Sequence, residues 1–176
     1  KRKRKGKLDA VVISGGEPTL QKNLFAFSQK IKEMGYLIKL DTNGSNPDIV
    51  KKLHKAGYLD YLGIDYKCPL NRYSEITQSN SVNLGLNVQA TISFAVNSKI
   101  QYDIRTTVHK AFLSYEDLNI MRNELNKLGV KQWTLQQFNP VDILDDKLLY
   151  LTTYTDMELA NIAKKLPSTK ARGLNS

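Results

Sequence analysis

The amino-acid sequence predicts an α/β protein in which helices cover a parallel sheet. Short apolar segments alternate with longer amphipathic segments along the 176 residues, which is the order expected when parallel strands are joined by helices. The apolar segments also end in polar or ionisable residues, as strands do where a sheet carries a binding site at one rim. The length suits a single domain over residues 1–176 with a substantial core.

Five strands are predicted from apolar, β-branched runs that are bounded by turn residues. They cover Leu8–Ser14, Tyr36–Leu40, Leu59–Tyr66, Tyr102–Val108 and Gln132–Gln137. Because its apolar run is continuous, the first of these strands is expected to be buried.

Helices are predicted between the strands, and glycines follow several of them as stop signals. They cover Leu20–Met34, Asp48–Ala56, Arg72–Thr77, Val82–Val96, Tyr115–Leu128 and Thr155–Leu166, the last closing the chain. In the first helix, Phe25, Phe27, Ile31 and Met34 are the residues available for burial.

Two of these helices begin with side chains that suit an N-terminal cap. Ser114 precedes one helix, and Asp117 at its third position completes a box-like cap. Thr155 caps the final helix, with acidic residues in its first turn.

Composition limits the classes of function. The net charge is +9 and the pI is about 9.5, but the run KRKRKGK at residues 1–7 supplies six of the positive charges. The remaining chain lacks the basic stripe interleaved with aromatic residues that binding to nucleic acid strands needs.

Cys68 is the single cysteine, so these residues offer neither a disulfide framework nor a cysteine metal site. No apolar run has membrane-spanning length, and the sequence predicts a soluble, cytoplasmic protein.

Polar residues lie towards or beyond the end of every predicted strand, and in a parallel sheet these ends share one rim. The residues concerned are Ser14, Gly15, Gly16 and Glu17; Asp41, Thr42, Asn43 and Gly44; Asp65 and Lys67; Arg105, Thr106 and Thr107; and Gln136, Gln137, Phe138 and Asn139. Singly, each has a structural interpretation, such as a turn, a helix start or an ion pair. Together they indicate a binding site.

The residue types at this rim suit a polar, zwitterionic ligand. Paired glycines let a ligand approach the backbone closely, and Glu17 with Asp41 or Asp65 can accept hydrogen bonds from an amine. Lys67 or Arg105 can pair with a carboxylate. The loop is not a phosphate loop, because it lacks G-x-x-x-x-G-K-[ST] and carries a carboxylate after its glycines.

The segments VISGGEPTLQ, KLDTNGS, DYLGIDYKCPL, RTTV and LQQF occur in this order over most of the chain. The series resembles radical S-adenosylmethionine (SAM) enzymes, and among them the activating enzymes of glycyl-radical proteins, especially those of anaerobic ribonucleoside-triphosphate reductase. The resemblance implies a partial (β/α)6 barrel that lacks its first strand and cluster loop and has five strands here. Residues 1–7 would then be the end of the first helix.

The resemblance also implies roles for residues. Gly15, Gly16, Glu17 and Pro18 match the motif that holds the methionine amino group of SAM. Asp41, Thr42 and Asn43 match a strand end that, with Asp65, lies near the methionine carboxylate, and Asp41, Thr42 and Asp65 would hold a monovalent cation. Lys67 would neutralise the carboxylate or contact the substrate chain. Arg105, Gln136 and Phe138 fall where strands approach the ribose and adenine, although Phe138 stands where some activators have histidine.

For the complete protein, the resemblance implies a [4Fe–4S] cluster held by a C-x3-C-x2-C loop. That loop is absent from these residues, so no catalytic residue is assigned and the chain as given is expected to be inactive. The resemblance implies two partners. One is a glycyl-radical enzyme, specifically anaerobic ribonucleoside-triphosphate reductase, and the other is a one-electron donor such as flavodoxin or ferredoxin. Three alternatives stay open: a radical SAM enzyme that converts a pterin to a deazapurine, a degenerate ligand-binding protein, and a basic nucleic-acid-binding module.

Overall fold

The computed structural model describes residues 8–77, 83–139 and 150–174. The predicted helix end at residues 1–7 lies outside this range. The strands in the described part are β1 (Ala10–Ile13), β2 (Leu37–Thr42), β3 (Tyr61–Asp65), β4 (Gln101–Val108), β5 (Trp133–Gln137) and β6 (Thr169–Arg172). The α-helices there are α1 (Leu24–Glu33), α2 (Pro47–Lys55), α3 (Tyr73–Thr77), α4 (Leu84–Asn97), α5 (Tyr115–Lys127) and α6 (Asp156–Lys165).

The strands form a six-stranded sheet in the order β1-β2-β3-β4-β5-β6. The pairs β1–β2, β2–β3, β4–β5 and β5–β6 are parallel. This order, with helices between successive strands, confirms the α/β prediction. Contacts divide the chain into a first compact unit, residues 1–65 and 83–103, and a second, residues 66–82 and 104–176. The prediction of one domain stays a prediction.

In the first unit, β2 shows how alternation creates two different faces. Ile38, Leu40 and Thr42 are at most 2% exposed, while the residues between them are partly exposed. Because successive strand residues point to opposite faces, the apolar face joins the core and the other carries Lys39 and Asp41.

In the second unit, the largest fully buried side chain is Trp133 of β5. Its indole Nε1 donates a hydrogen bond of 3.0 Å to Thr106 Oγ1 on β4, so the one polar atom of the ring is satisfied. Arg122 of α5 is also buried, and its guanidinium donates to Val130 O at 2.7 Å and to Ser168 O at 3.5 Å. This side chain links α5 to the entries of β5 and β6.

The sequence-based prediction of five strands is wrong in number, because residues Thr169–Arg172 form a sixth strand beside β5. The first strand is not buried: β1 lies at one edge of the sheet order, and Val12 is 56% exposed. The two predicted caps are confirmed. Ser114 forms a capping box with Asp117, and Thr155 forms one with Glu158.

The first helix begins later than predicted. Pro18–Leu20 forms a 3-10 turn, and α1 starts at Leu24. Its buried residues are Leu24, Ser28 and Ile31, so the expected burial of Phe27 and Met34, which are 53% and 54% exposed, is wrong. Within the described residues, none of the helices is long and apolar enough to span a membrane.

Candidate functional site

The loop after β1 exposes its backbone through two glycines. Gly15 and Gly16 have φ angles of +99° and +54°, a region that residues with a Cβ rarely adopt. A Cβ built on either glycine would meet no atom within 4 Å. Backbone conformation, and not crowding, therefore requires glycine here, and the space beside the loop is open to a ligand.

Glu17 fixes this loop to the end of β2. Its Oε1 accepts hydrogen bonds from Thr19 N at 3.0 Å, Thr19 Oγ1 at 2.6 Å and Thr42 Oγ1 at 2.8 Å. Its Oε2 accepts one from Asn43 N at 2.7 Å. We call Glu17, Thr19, Thr42 and Asn43 the Glu17 cluster. Since a carboxylate has about four acceptor positions shared by two oxygens, the remaining capacity is on Oε2.

The segment after β2 is held by further hydrogen bonds. Gly44 N donates to Thr42 Oγ1 at 3.1 Å, and Ser45 N donates to Asn43 Oδ1 at 2.9 Å. Thr91 Oγ1 of α4 donates to Gly44 O at 2.7 Å. The end of β2 is thus fixed by its own side chains and by a neighbouring helix.

Asp41 lies on the opposite face of β2 from Thr42, because adjacent strand residues alternate. Lys39, on the same face as Asp41, places Nζ 3.5 Å from Asp41 Oδ1 and 3.2 Å from Asp103 Oδ1. We call Lys39, Asp41 and Asp103 the Lys39 cluster. Asp65, the last residue of β3, is partly exposed. Residues 8–77, 83–139 and 150–174 contain no group of three or more His, Cys, Asp or Glu side chains that could hold a metal ion. The monovalent cation predicted at Asp41, Thr42 and Asp65 stays a prediction.

In the second unit, hydrogen bonds fix the backbone around the exposed Lys67. Lys67 N donates to the Tyr73 hydroxyl at 2.9 Å, and Tyr66 N donates to Arg105 O at 2.8 Å. Glu124 of α5 accepts from the Tyr66 hydroxyl and, at 3.1 Å, from Leu70 N. Burial and the neighbouring Glu124 carboxylate raise the pKa of Tyr66, so its hydroxyl stays a proton donor. The Lys67 side chain is therefore presented from a fixed backbone.

Arg105 and Gln136 share one face of the sheet. Arg105 lies opposite Thr134 and Thr107 opposite Gln136, and directly paired strand residues point the same way. Gln136 Oε1 accepts a 2.8 Å hydrogen bond from Arg172 of β6. Sequence reasoning missed Arg172 because it missed the strand that carries it.

Phe138 follows β5, and its ring centroid is 4.9 Å from that of His109, edge to face. His109, which follows β4, is buried and accepts a hydrogen bond from Ala111 N at 3.1 Å through Nδ1. No sequence motif marked His109, because its ring contact with Phe138 joins residues that are distant in the sequence.

The structure thus joins Glu17, Thr42 and Asn43 directly in the first unit and sets Arg105 and Gln136 on one face in the second. It places Pro18 in the buried start of a 3-10 turn. Asp41 is turned away from the Glu17 cluster. That all the predicted residues serve one site stays a prediction from the topology of parallel sheets.

Comparison with known proteins finds similarity to one superfamily. The model of the radical SAM superfamily matches residues 1–84. A Methanocaldococcus jannaschii protein with the provisional name of glycyl-radical enzyme activating enzyme is 30% identical over 159 residues, covering 89% of this chain and 65% of that protein. The chain is therefore similar to proteins of the radical SAM superfamily.

Two further similarities concern one sequence and one solved structure. The 7-carboxy-7-deazaguanine synthase of Thermococcus kodakarensis is 36% identical over 63 residues, covering 35% of this chain and 24% of that enzyme. A domain of a pyruvate-formate lyase-activating enzyme from Bacteroides vulgatus has a TM-score of 0.71 at 15% identity, covering 93% of this chain and 99% of that domain. The latter similarity shows the fold alone and confirms the partial-barrel class. The chain spans less than two thirds of the length of the M. jannaschii protein and of the T. kodakarensis enzyme.

Similarity to the radical SAM superfamily implies an iron–sulfur cluster, but these residues do not fit one. Three thiolates are needed, whereas the chain has one cysteine. Cys68 is buried, and burial raises the pKa of its thiol to about 12. A buried, protonated thiol is a poor metal ligand. The cluster is therefore not a group that these 176 residues hold by themselves.

Proposed function

We propose that this chain is the SAM-binding part of a radical SAM enzyme that activates a glycyl-radical protein. The observation that carries the proposal is the Glu17 cluster, which fixes the exposed Gly15–Gly16 backbone beside the end of β2. Preorganised backbone groups bind a polar ligand without first losing conformational entropy.

For the methionine end of SAM, the fit rests on backbone groups and on one oxygen. The open loop at Gly15 and Gly16 offers peptide groups, and Glu17 Oε2 accepts a single internal hydrogen bond. An α-ammonium group would therefore bind at Oε2 and at the loop, while Oε1 keeps the loop in place. Asp65 is a further acceptor in the same unit.

For the rest of SAM, the proposed contacts are made by four further side chains. Lys67 would pair with the methionine carboxylate, and Arg105, Gln136 and Phe138 would contact the ribose and adenine. These roles follow from the resemblance and from the exposed or partly exposed position of each side chain. When bound, SAM supplies the deoxyadenosyl group that characterises radical chemistry in this superfamily.

For the partner, we propose a glycyl-radical enzyme, and specifically anaerobic ribonucleoside-triphosphate reductase. The similarity to the M. jannaschii protein supports the general class, and the ordered sequence motifs support the specific partner. A donor such as flavodoxin or ferredoxin would supply one electron to the complete enzyme. The cluster ligands would have to come from outside these residues, and no reaction step is assigned to the chain itself.

The test is calorimetric titration of the chain with SAM, with ATP and methionine as comparison ligands. We expect SAM to bind more tightly than either. Gly15→Ala should weaken SAM binding at least tenfold, because its Cβ enters the space proposed for the ligand. Gly35→Ala is the matched control: Gly35 has a φ of +86° and, like Gly15, no atom within 4 Å of a built Cβ.

Both alanine substitutions place a Cβ in a left-handed conformation at a cost of about 1–2 kcal/mol, so their stabilities should fall alike while only Gly15→Ala loses affinity. Equal affinities in the two variants, or a folded wild-type chain that binds SAM no better than ATP, would contradict the proposal.

The similarity to 7-carboxy-7-deazaguanine synthase favours a second candidate, a radical SAM enzyme that acts on a small molecule. The matched segment covers 35% of the chain. Fluorescence titration with a labelled peptide from the glycine loop of an anaerobic ribonucleotide reductase, and separately with a pterin, distinguishes the candidates. Saturable peptide binding supports the activating enzyme, and saturable pterin binding supports the alternative.

A further inference from the structure

We propose that the ammonium group of Lys39 is a built-in counter-cation that holds Asp41 and Asp103 together, in the place of a free monovalent cation. Lys39 is thereby a positioning residue for the end of β2. The part of this inference that concerns SAM affinity rests on the proposed function, and the part that concerns the cation does not.

The first argument is the geometry of the Lys39 cluster. A single nitrogen lies within 3.5 Å of one carboxylate and within 3.2 Å of the other. The side chains of Lys39, Asp41 and Asp103 are only 28%, 14% and 22% exposed. Two partly buried carboxylates in such proximity repel each other unless a cation lies between them.

The second argument is the space made for this arrangement. A Cβ added at Gly63 of β3 would lie 2.2 Å from Asp41 Oδ1 and 3.3 Å from Lys39 Cε. No side chain fits at Gly63 while the Asp41 carboxylate and the Lys39 stem cross β3. Lys39 Nζ also lies 4.9 Å from the centroid of the Tyr61 ring, a further interaction that favours a cation at this point.

The third argument concerns the monovalent cation predicted at Asp41, Thr42 and Asp65. Thr42 Oγ1 points to the opposite face of β2 and donates to Glu17, whereas Asp41 pairs with Lys39. The Lys39 ammonium supplies the positive charge that a bound cation would otherwise bring to Asp41. In this chain Asp41 is then an internal anion, and the ligand-binding role at the end of β2 falls to Thr42 and Asn43.

The test is Lys39→Ala, which removes the ammonium group and opens room for an ion. In a buffer whose only cation is tetramethylammonium, we expect Tm to fall by about 4–8 °C. Ammonium or potassium chloride at 100 mM should restore at least half of this loss. Tetramethylammonium chloride at the same ionic strength should not, because it is too large to enter.

Lys32→Ala is the matched control. Lys32 is similarly exposed and pairs with one carboxylate, that of Asp60, through both oxygens at 2.9 Å. Its loss leaves no pair of carboxylates for an ion to bridge, so small and large cations should have the same effect. A second variant, Lys39→Ala with Asp103→Asn, removes the repulsion and should recover Tm without small cations.

The SAM readout separates the two parts of the inference. In Lys39→Ala, the Kd for SAM should rise at least fivefold in tetramethylammonium and return towards the wild-type value in ammonium. If the Tm of Lys39→Ala responded equally to small and large cations, the role of Lys39 as a counter-cation would be overturned. Selective recovery of Tm in a chain that never binds SAM would support the counter-cation and overturn the proposed function. A cation-sensitive Tm with an unchanged Kd would overturn the positioning role alone.

Discussion

Replacing Glu17 by glutamine tests whether one carboxylate holds the loop after β1. The carboxylate accepts four hydrogen bonds, three at Oε1 and one at Oε2. Glutamine keeps one acceptor oxygen but presents an amide donor in place of the other. Depending on the orientation of the amide, either Asn43 N or the three donors at Oε1 then face an N–H group instead of an oxygen.

The magnitude follows from this count. A hydrogen bond to a charged group contributes about 1.5–3 kcal/mol, and a neutral acceptor roughly half as much. Glu17 is partly exposed, which favours the lower values. Losing one bond and weakening the others should reduce the free energy of unfolding by about 2–3 kcal/mol, which corresponds to a fall in Tm of about 5–10 °C for a chain of this size.

Urea unfolding followed by far-ultraviolet circular dichroism measures this loss as a lower midpoint with an unchanged slope. Glu33→Gln is the control, since Glu33 is exposed and accepts one hydrogen bond, from Gln29 Nε2 at 2.9 Å; it should change stability by less than about 0.5 kcal/mol. If Glu17→Gln unfolds at the wild-type midpoint, the Glu17 cluster does not stabilise the loop and the reasoning fails.

Two further predictions concern titratable groups. Burial raises the pKa of Cys68 to about 12, so at pH 8 the native thiol should react with a disulfide reagent at least 100-fold more slowly than in urea; equal rates would contradict its burial. Hydrogen bonds from Lys110 and Thr155 lower the pKa of Glu158 from 4.5 to about 2. The stability difference between wild type and Glu158→Gln should therefore be fully present above about pH 4.5 and vanish as the pH falls through about 2; a difference that is constant in thermal melts from pH 6 to 2 would refute this.

The sequence predicted the elements whose signals are local. The capping boxes at Ser114 and Thr155 follow from residues three positions apart, so no tertiary information is needed to find them. The rim residues were predicted for a similar reason, because strand ends in a parallel sheet meet at one edge whatever packs around them. Gly15, Gly16 and Glu17 are where this reasoning placed them, directly after β1.

The missed features depend on distant parts of the chain. Strand β6, with the sequence TKAR, has two exposed basic residues and almost no apolar signal; pairing with β5 defines it. The pairing of Lys39 with Asp103 joins residues 64 positions apart, and no periodicity reports such a contact. The apolar residues of α1 were misassigned because tertiary packing selects its buried face, which includes Ser28 and leaves Phe27 exposed.

Helix α5 ties the segment around Lys67 to the second unit by hydrogen bonds. Glu124 holds Tyr66 and Leu70, while Arg122 on the same helix holds the entries of β5 and β6. Loops commonly open by local fluctuations with low free energies, independently of the core. The backbone amide of Leu70 can exchange its hydrogen only when its hydrogen bond to Glu124 of α5 breaks. We therefore expect its exchange rate to be similar to that of the amides in α5. Lys67 thus carries an exposed side chain on a backbone that is tied to α5 through Leu70 and to α3 through its own amide.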